Sequence, residues 1–294
     1  MLKRNTGSYK AEIITSTRYA GKIVKSRARV LRDGSSERID YLSPMQKGMW
    51  VTTVGNTTHT YLPNRKQFLS STSDVCLPDA EKVKTLLHNY SARIEGTGTI
   101  AGRPTYQISL QPLTGNGPSK KIWIDREYYT ILKSIDYSIK GEPLSEMQVT
   151  NINYNFRCSP SKFDVACPNG ATPVTIAVPM RLDQLESTLH ISVNKPSYVP
   201  EGYKLEGSYL LRYQCSCGHH AAQLTYTNGL NTISVFQTPE VKCKSISCNM
   251  DGGTCMMRES QIARLGQVRR DGKTVVVVAD ILPDEVRKIA ESVR

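Results

Sequence analysis

The stretch from Tyr90 to Phe156 constrains the fold more than any other. Apolar and polar residues alternate through it in short segments. Tyr106, Ile108 and Leu110 are separated by Gln107 and Ser109, Ile122 and Ile124 flank Trp123, and Ile135 and Tyr137 alternate with Ser134 and Asp136. Met147 and Val149 continue the pattern beside Gln148 and Thr150. Period-two alternation over such lengths predicts half-buried antiparallel strands. Gly115-Asn116-Gly117-Pro118 and Lys140-Gly141-Glu142-Pro143 punctuate them as turns. The result is a meander: a long sheet with one apolar face that must be covered.

The residues before it read the same way. Arg18 to Arg32 is predicted as a strand, with Lys25, Arg27 and Arg29 on one side and Val24, Ala28 and Val30 on the other. Asp33-Gly34 turns the chain into a partner at Arg38 to Leu42. Gly55-Asn56 joins Met49–Val54 to Thr57–Leu62. The period then changes. Val83, Leu86, Leu87 and Tyr90 stand at helical spacing after Pro78-Asp79, which predicts an amphipathic helix lying across the sheet's apolar face.

The turn-rich segment from Cys158 to Pro179 breaks this pattern, so we expect domains at 1–157 and 180–294 with a linker at 158–179. The second domain reads as a short helix over Arg181–Leu189 and strands at Tyr209–Tyr213, Ala222–Thr227, Thr232–Gln237 and Lys273–Ala279. A final helix starts at Pro283. The fold class is therefore α+β: an antiparallel sheet covered by a helix, then a smaller α+β domain.

Charge and cysteines narrow the function. Up to Arg157 there are 23 Lys and Arg against 13 Asp and Glu, whereas from Cys158 onward the balance is 15 against 13. Arg18, Lys22, Lys25, Arg27 and Arg29 form a candidate basic surface. It suits an anionic membrane surface or an acidic partner. With few interleaved aromatics it does not suit nucleic acid. The longest apolar run, Val275 to Ala279, is too short to cross a bilayer, and the first residues lack the apolar core of a signal peptide. Eight cysteines nevertheless suggest an oxidising compartment or a metal site. Disulfides among Cys158, Cys167, Cys215, Cys217, Cys243, Cys248 and Cys255 suit an exported chain, with Cys158 and Cys167 close enough in sequence to bridge locally. The alternative is zinc at Cys215, Cys217, His219, Cys243 and Cys248, although C-x-C is not the usual spacing.

No catalytic motif is present: there is no G-x-S-x-G, no phosphate loop and no H-E-x-x-H. Asp125 and Glu127 read as a solvated strand end rather than a carboxylate pair for catalysis. We expect a binding protein without a cofactor.

Ala101-Gly102-Arg103-Pro104, Leu110-Gln111-Pro112, Ile122-Trp123-Ile124-Asp125-Arg126 and Ile131-Leu132-Lys133-Ser134 resemble the RseB/MucB regulators of sigma-E-type stress responses. Tyr226 to Leu230, Ile233 to Phe236 and the ending from Val275 to Val293 resemble that family's C-terminal domain. Pro196 to Gly207 resembles small domains attached to other LolA-like extracytoplasmic proteins. The resemblance implies a LolA-like (lipoprotein-carrier) first domain, a curved half-barrel with helices in its concave, apolar side. It implies a periplasmic or otherwise extracytoplasmic, non-catalytic regulator that binds an anti-sigma factor, a lipid, or both, in an envelope stress pathway. The alternative is a periplasmic lipoprotein or lipid carrier. With the helix inside the curl, the expected lipid cavity is walled by Trp50, Tyr61, Phe68, Leu86, Leu87, Tyr106, Ile108, Trp123, Ile135 and Val149; each of these also fits an ordinary core position. The Cys215–Cys255 insertion is a departure from the family pattern.

Overall fold

The computed structural model describes residues 7–19, 22–72, 79–114, 117–212, 220–239, 256–259 and 264–294. Two compact units emerge. The first comprises residues 1–72, 91–112 and 118–175, and the second residues 73–90, 113–117 and 176–294.

The first unit is a large antiparallel open sheet. Its strands are β1 (Tyr9–Tyr19), β2 (Lys22–Asp33), β3 (Ser36–Tyr41), β4 (Trp50–Val54), β5 (Thr57–Leu62) and β6 (Gln67–Thr72). They continue with β7 (Tyr90–Ile100), β8 (Arg103–Pro112), β9 (Ser119–Asp125), β10 (Ile131–Tyr137) and β11 (Pro143–Asn153). Neighbours in sequence pair as hairpins from β1 to β6 and from β8 to β11. The two meanders are joined by β1 against β11, with Ala11 opposite Ile152 and Ile14 opposite Gln148. Tight turns close the hairpins where the backbone is left-handed. Ala101 and Gly102, both at positive φ, form the connection between β7 and β8, the conformation a two-residue hairpin favours.

The region read as one strand from Arg18 to Arg32 is therefore two, with β1 and β2 meeting in a hairpin in which Arg18 faces Ile23. Two strands lie outside the segments predicted from alternation: β7, whose Ser-Ala-Arg-Ile-Glu-Gly-Thr-Gly run opens the Tyr90–Phe156 stretch, and β12 (Thr172–Pro179), inside the expected linker. The boundary between the units falls within β12.

The second unit pairs the end of β12 with β13 (Lys204–Arg212), which continues through β14 (His220–Thr227) and β15 (Thr232–Pro239) to β18 (Lys273–Ala279). Beyond it lie β17 (Arg264–Arg270) and β16 (Met256–Glu259). Helices α2 (Leu182–Leu189) and α3 (Pro283–Ser292) supply Leu185, Leu189, Val286, Ile289 and Ala290 to a core shared with Leu224, Ile233, Val235, Val275 and Val277. Every second residue of β18 points inward, Lys273 included. Its amine survives there because it donates to the carbonyls of Ser192 and Arg294, at 3.0 and 3.2 Å.

The helix expected to cover the first sheet, α1 (Asp79–Asn89), belongs to the second unit. The reason is local. Asn89 Nδ2 donates to the carbonyls of Gly202 and Asn228, at 3.1 and 3.0 Å, and to that of Thr85. Gly202 and Gly229 lie at positive φ, and a Cβ on Gly229 would stand 2.6 Å from the Leu86 nitrogen. The helix thus sits on backbone left bare by two glycines, a close approach only that residue permits. Tyr90 follows, fully buried, its hydroxyl accepting from Asn228 Nδ2 at 3.2 Å.

Candidate functional site

Partners across an antiparallel ladder share a face, so the register sorts the expected cavity residues. Gln107 faces Trp123, Trp123 faces Lys133, Lys133 faces Gln148, Gln148 faces Ile14, and Ile14 faces Arg27. On that same face of the first unit, Arg29 opposes Asp40, Asp40 opposes Trp50, Trp50 opposes Tyr61, and Tyr61 opposes Phe68. Ile135 joins this set through Lys121. Tyr106, Ile108 and Val149 are on the opposite face: Ile108 faces Ile122, Ile122 faces Ser134, Ser134 faces Met147, and Val149 faces Ile13. Leu86 and Leu87 are on α1 in the second unit, and Leu87 is exposed. By register, five of the ten are on one face of the first sheet and three on the other, and the remaining two belong to the second unit.

The first of these faces is aromatic and basic. Trp50 packs against Tyr61 and Phe68 with ring centres 6.0 Å apart in each case, and His59 stacks on Phe68 at 5.3 Å. The Arg38 guanidinium lies over Trp50 at 4.8 Å while pairing with Asp40 at 3.1 Å. Burial lowers the His59 pKa and so favours the neutral ring, which is hydrogen bonded through Nδ1 to Ser70 Oγ at 2.9 Å. Further along the same face Lys133 lies over Trp123 at 5.2 Å and pairs with Glu146 at 2.7 Å. Of the five basic candidates, Arg18, Lys25, Arg27 and Arg29 share this face, and Lys22, opposite Tyr19, points the other way. Arg27 meets Glu12 at 3.6 Å with the Arg27 side chain well exposed and that of Glu12 partly so, an arrangement that neutralises little.

The second face is apolar. Ala11, Leu132 and Val149 are buried at its centre, with Ile13, Ile100, Met147 and Ile152 packed around them. Tyr106, Ile108, Ile122 and Ile124 extend it and are only half-buried. Among the described residues, the first unit places no α-helix on it.

At one edge of the sheet the expected solvated pair is instead a built cluster. Asp125 is fully buried, and Glu127 alone is exposed. Arg103 donates to Asp125 at 2.8 Å and to Glu127 at 2.6 Å. The backbone N–H groups of Glu127 and Tyr128 and the Tyr154 hydroxyl donate to Asp125 as well, at 2.8, 3.1 and 3.2 Å. Tyr128 stacks on Tyr154 with centres 3.8 Å apart, and Arg103 lies over both rings. Burial by itself would raise the Asp125 carboxyl, but Arg103 and the backbone donors outweigh it and the net shift is downward. Both Asp125 oxygens are engaged, so the cluster locks the end of the β8–β9 hairpin. The sequence signal for it was the Arg103 to Asp125 spacing across one hairpin, legible only once the register is known.

Cys158 and Cys167 are free thiols, so the local bridge expected between them does not form. Cys158 is partly buried, and burial followed by the charge of Asp33 pushes its thiol up. The Cys167 thiol faces the Ala171 carbonyl at 3.5 Å. Cys215, Cys217, His219, Cys243, Cys248 and Cys255 lie outside the described residues.

The model of the MucB/RseB N-terminal domain family matches residues 3–167. Among solved structures, the Pseudomonas aeruginosa MucA/MucB complex matches with a TM-score of 0.67 at 20% identity, covering 99% of this chain and 94% of that one. MucB in complex with MucA(peri) gives 0.66 at 19% identity with the same coverage. MucB itself gives 0.61 at 18%, covering 99% and 93%. These likenesses establish a shared fold along essentially the whole length. Comparison with curated proteins gave no match. With more than half of its length matched by one family model, the chain belongs to the MucB/RseB family.

Proposed function

We propose that this protein is an extracytoplasmic, non-catalytic regulator that binds the outer segment of an anti-sigma factor in an envelope stress sigma-factor pathway. One observation carries the reading: family membership joined to a fold shared over 99% of the chain with MucB, a protein solved in complex with MucA. The absence of catalytic constellations in the sequence supports it. The test is calorimetry of the full chain against the recombinant extracytoplasmic segment of an anti-sigma factor from the same genome. Saturable one-to-one binding is expected, and a flat titration with every such segment would overturn the proposal.

The apolar face favours a second reading, in which a lipid or lipoprotein acyl chain is carried. Tyr106, Ile108, Ile122, Ile124 and Met147 are half-buried on a face bare of helix within their unit. Register shifts between Glu12 and Ile13 and between Ile131 and Lys133 support a LolA-like curl there, since bulges bend sheets. Burying an acyl chain is worth about 0.8 kcal/mol per CH₂, so a shallow groove suffices. Lipid extraction and mass spectrometry of the purified protein should find bound acyl chains, and an Ile108→Asp variant should lose them. Clean extracts together with no uptake of a fluorescent fatty acid would exclude this reading and leave the first intact.

A further inference from the structure

The β1–β2 hairpin runs past both of its neighbours. On one side, β11 stops pairing at Ser145 opposite Thr17. On the other, β3 stops at Tyr41 opposite Ala28, and only Leu42 follows, its N–H donating to the Arg27 carbonyl at 2.8 Å. Arg18 and the run Lys22-Ile23-Val24-Lys25 are left projecting from the sheet. Such ends are normally polar, yet Ile23 is 62% exposed and Val24 46%. These two side chains point to opposite faces, since Ile23 faces Arg18 and Val24 faces Thr17. Lys22 and Lys25 are exposed and have no ion pair among the described residues. The β3–β4 loop runs alongside, held by the Ser43 hydroxyl, which accepts from the Arg27 N–H at 2.7 Å, and by Gln46 against Ser26. It carries Met45, 83% exposed. Of the acids on the adjoining strands, Glu12 pairs with Arg27 and Glu146 with Lys133.

We propose that this projecting tip, with Met45 beside it, docks onto an anionic lipid bilayer surface. The geometry favours a plane over a protein groove. A partner laid on either face of the sheet would cover Ile23 or Val24 but not both, whereas a surface met end-on receives both. The two lysines flank the apolar pair, so their stems can lie at the acyl boundary while the amines reach headgroup phosphates. The excess positive charge of the tip supplies the complementary field. This inference is independent of which segment or acyl chain the rest of the molecule binds.

The test is co-sedimentation of the full chain with phosphatidylglycerol/phosphatidylcholine vesicles and with pure phosphatidylcholine vesicles, at low and raised salt. Binding is expected to the anionic vesicles only and should weaken as salt rises. K22Q/K25Q should bind roughly thirty-fold more weakly, about five-fold for each lysine lost near the surface, and K22R/K25R should bind as the native chain does. I23S/V24S and, separately, Met45→Ser should weaken binding while keeping the salt dependence; melting curves matching the native chain show that each variant is folded. If the native chain ignores anionic vesicles, or binds neutral ones equally, the proposal is wrong. It is equally wrong if folded K22Q/K25Q keeps its vesicle affinity and loses only affinity for an acidic peptide, which would make the tip a protein-docking site.

Discussion

Arg103 and His59 show how single side chains hold the first sheet. Among the described residues, Arg103 is the one cation paired with the fully buried Asp125. Truncating it leaves a buried carboxylate without its counter-charge, and breaking such a pair costs about 3–5 kcal/mol. Arg103→Ala should therefore lower the denaturation midpoint strongly. Arg103→Lys, which keeps the charge but not the two-pronged geometry or the stacking on Tyr128 and Tyr154, should recover only part. Because the folded Asp125 pKa is depressed, the stability it contributes is present above its unfolded value of about 3.9 and is lost as pH falls through the folded one. An acid titration of native and Asp125→Asn proteins should show that loss in the native protein only. His59 works over a different window. Its pKa is lowered by burial against Phe68, so folding favours the neutral ring. The contribution is complete above the unfolded pKa of about 6.5 and erodes as pH falls below it. Chemical denaturation of His59→Gln at pH 7.5 and pH 5.5 should give a smaller drop between the two than the native protein shows; equal drops would mean that the ring is not desolvated.

At the scale of elements, the strands were legible and their faces were not. Alternation at Tyr106–Leu110 and Met147–Val149 locates β8 and β11 because a half-buried strand must repeat every two residues. It does not say whether Trp50 and Tyr106 look the same way. That depends on seven successive strand pairings and on the register shifts at Glu12/Ile13 and Ile131/Lys133, each of which resets parity. The amphipathic spacing of Val83, Leu86 and Tyr90 located α1 equally well, but its partner was fixed by two glycines more than a hundred residues away. Pro196, Pro200 and Gly202 read as a loop and Asn228-Gly229 as a hairpin turn in the sequence; in the structure α1 rests on Gly202, Asn228 and Gly229. Gly229→Ala should therefore do more than strain a turn. The left-handed backbone alone costs about 1–3 kcal/mol, and the added methyl must displace Leu86. Asn89→Ala, which strips the hydrogen bonds to Gly202 and Asn228 without a clash, should cost about 2 kcal/mol. Hydrogen exchange should rise in α1 in both variants, with the first-unit strands unchanged.

Over the whole molecule, the chain gives to its C-terminal unit a helix encoded between two strands of the N-terminal sheet. A cut by composition at residues 158–179 leaves α1 with the wrong half. The consequence is measurable. A fragment of residues 176–294 keeps the core of α2, α3 and β13–β18, but it leaves the Gly202 and Asn228 carbonyls without Asn89, and Asn228 Nδ2 without the Tyr90 hydroxyl. Unpaired polar groups at a formerly covered site cost about 1–3 kcal/mol apiece when water cannot reach them. The fragment should therefore melt below the corresponding transition of the intact chain. A synthetic peptide of residues 79–90 binds only the folded fragment, so it should raise that melting temperature in a saturable way, by about 2.7 kcal/mol of stability at a hundred times its Kd. An Asn89→Ala peptide should fall short at the same concentration. If the fragment already melts with the intact protein and the peptide changes nothing, α1 is an ornament on the second unit rather than a part of it, and the boundary belongs where composition alone would draw it.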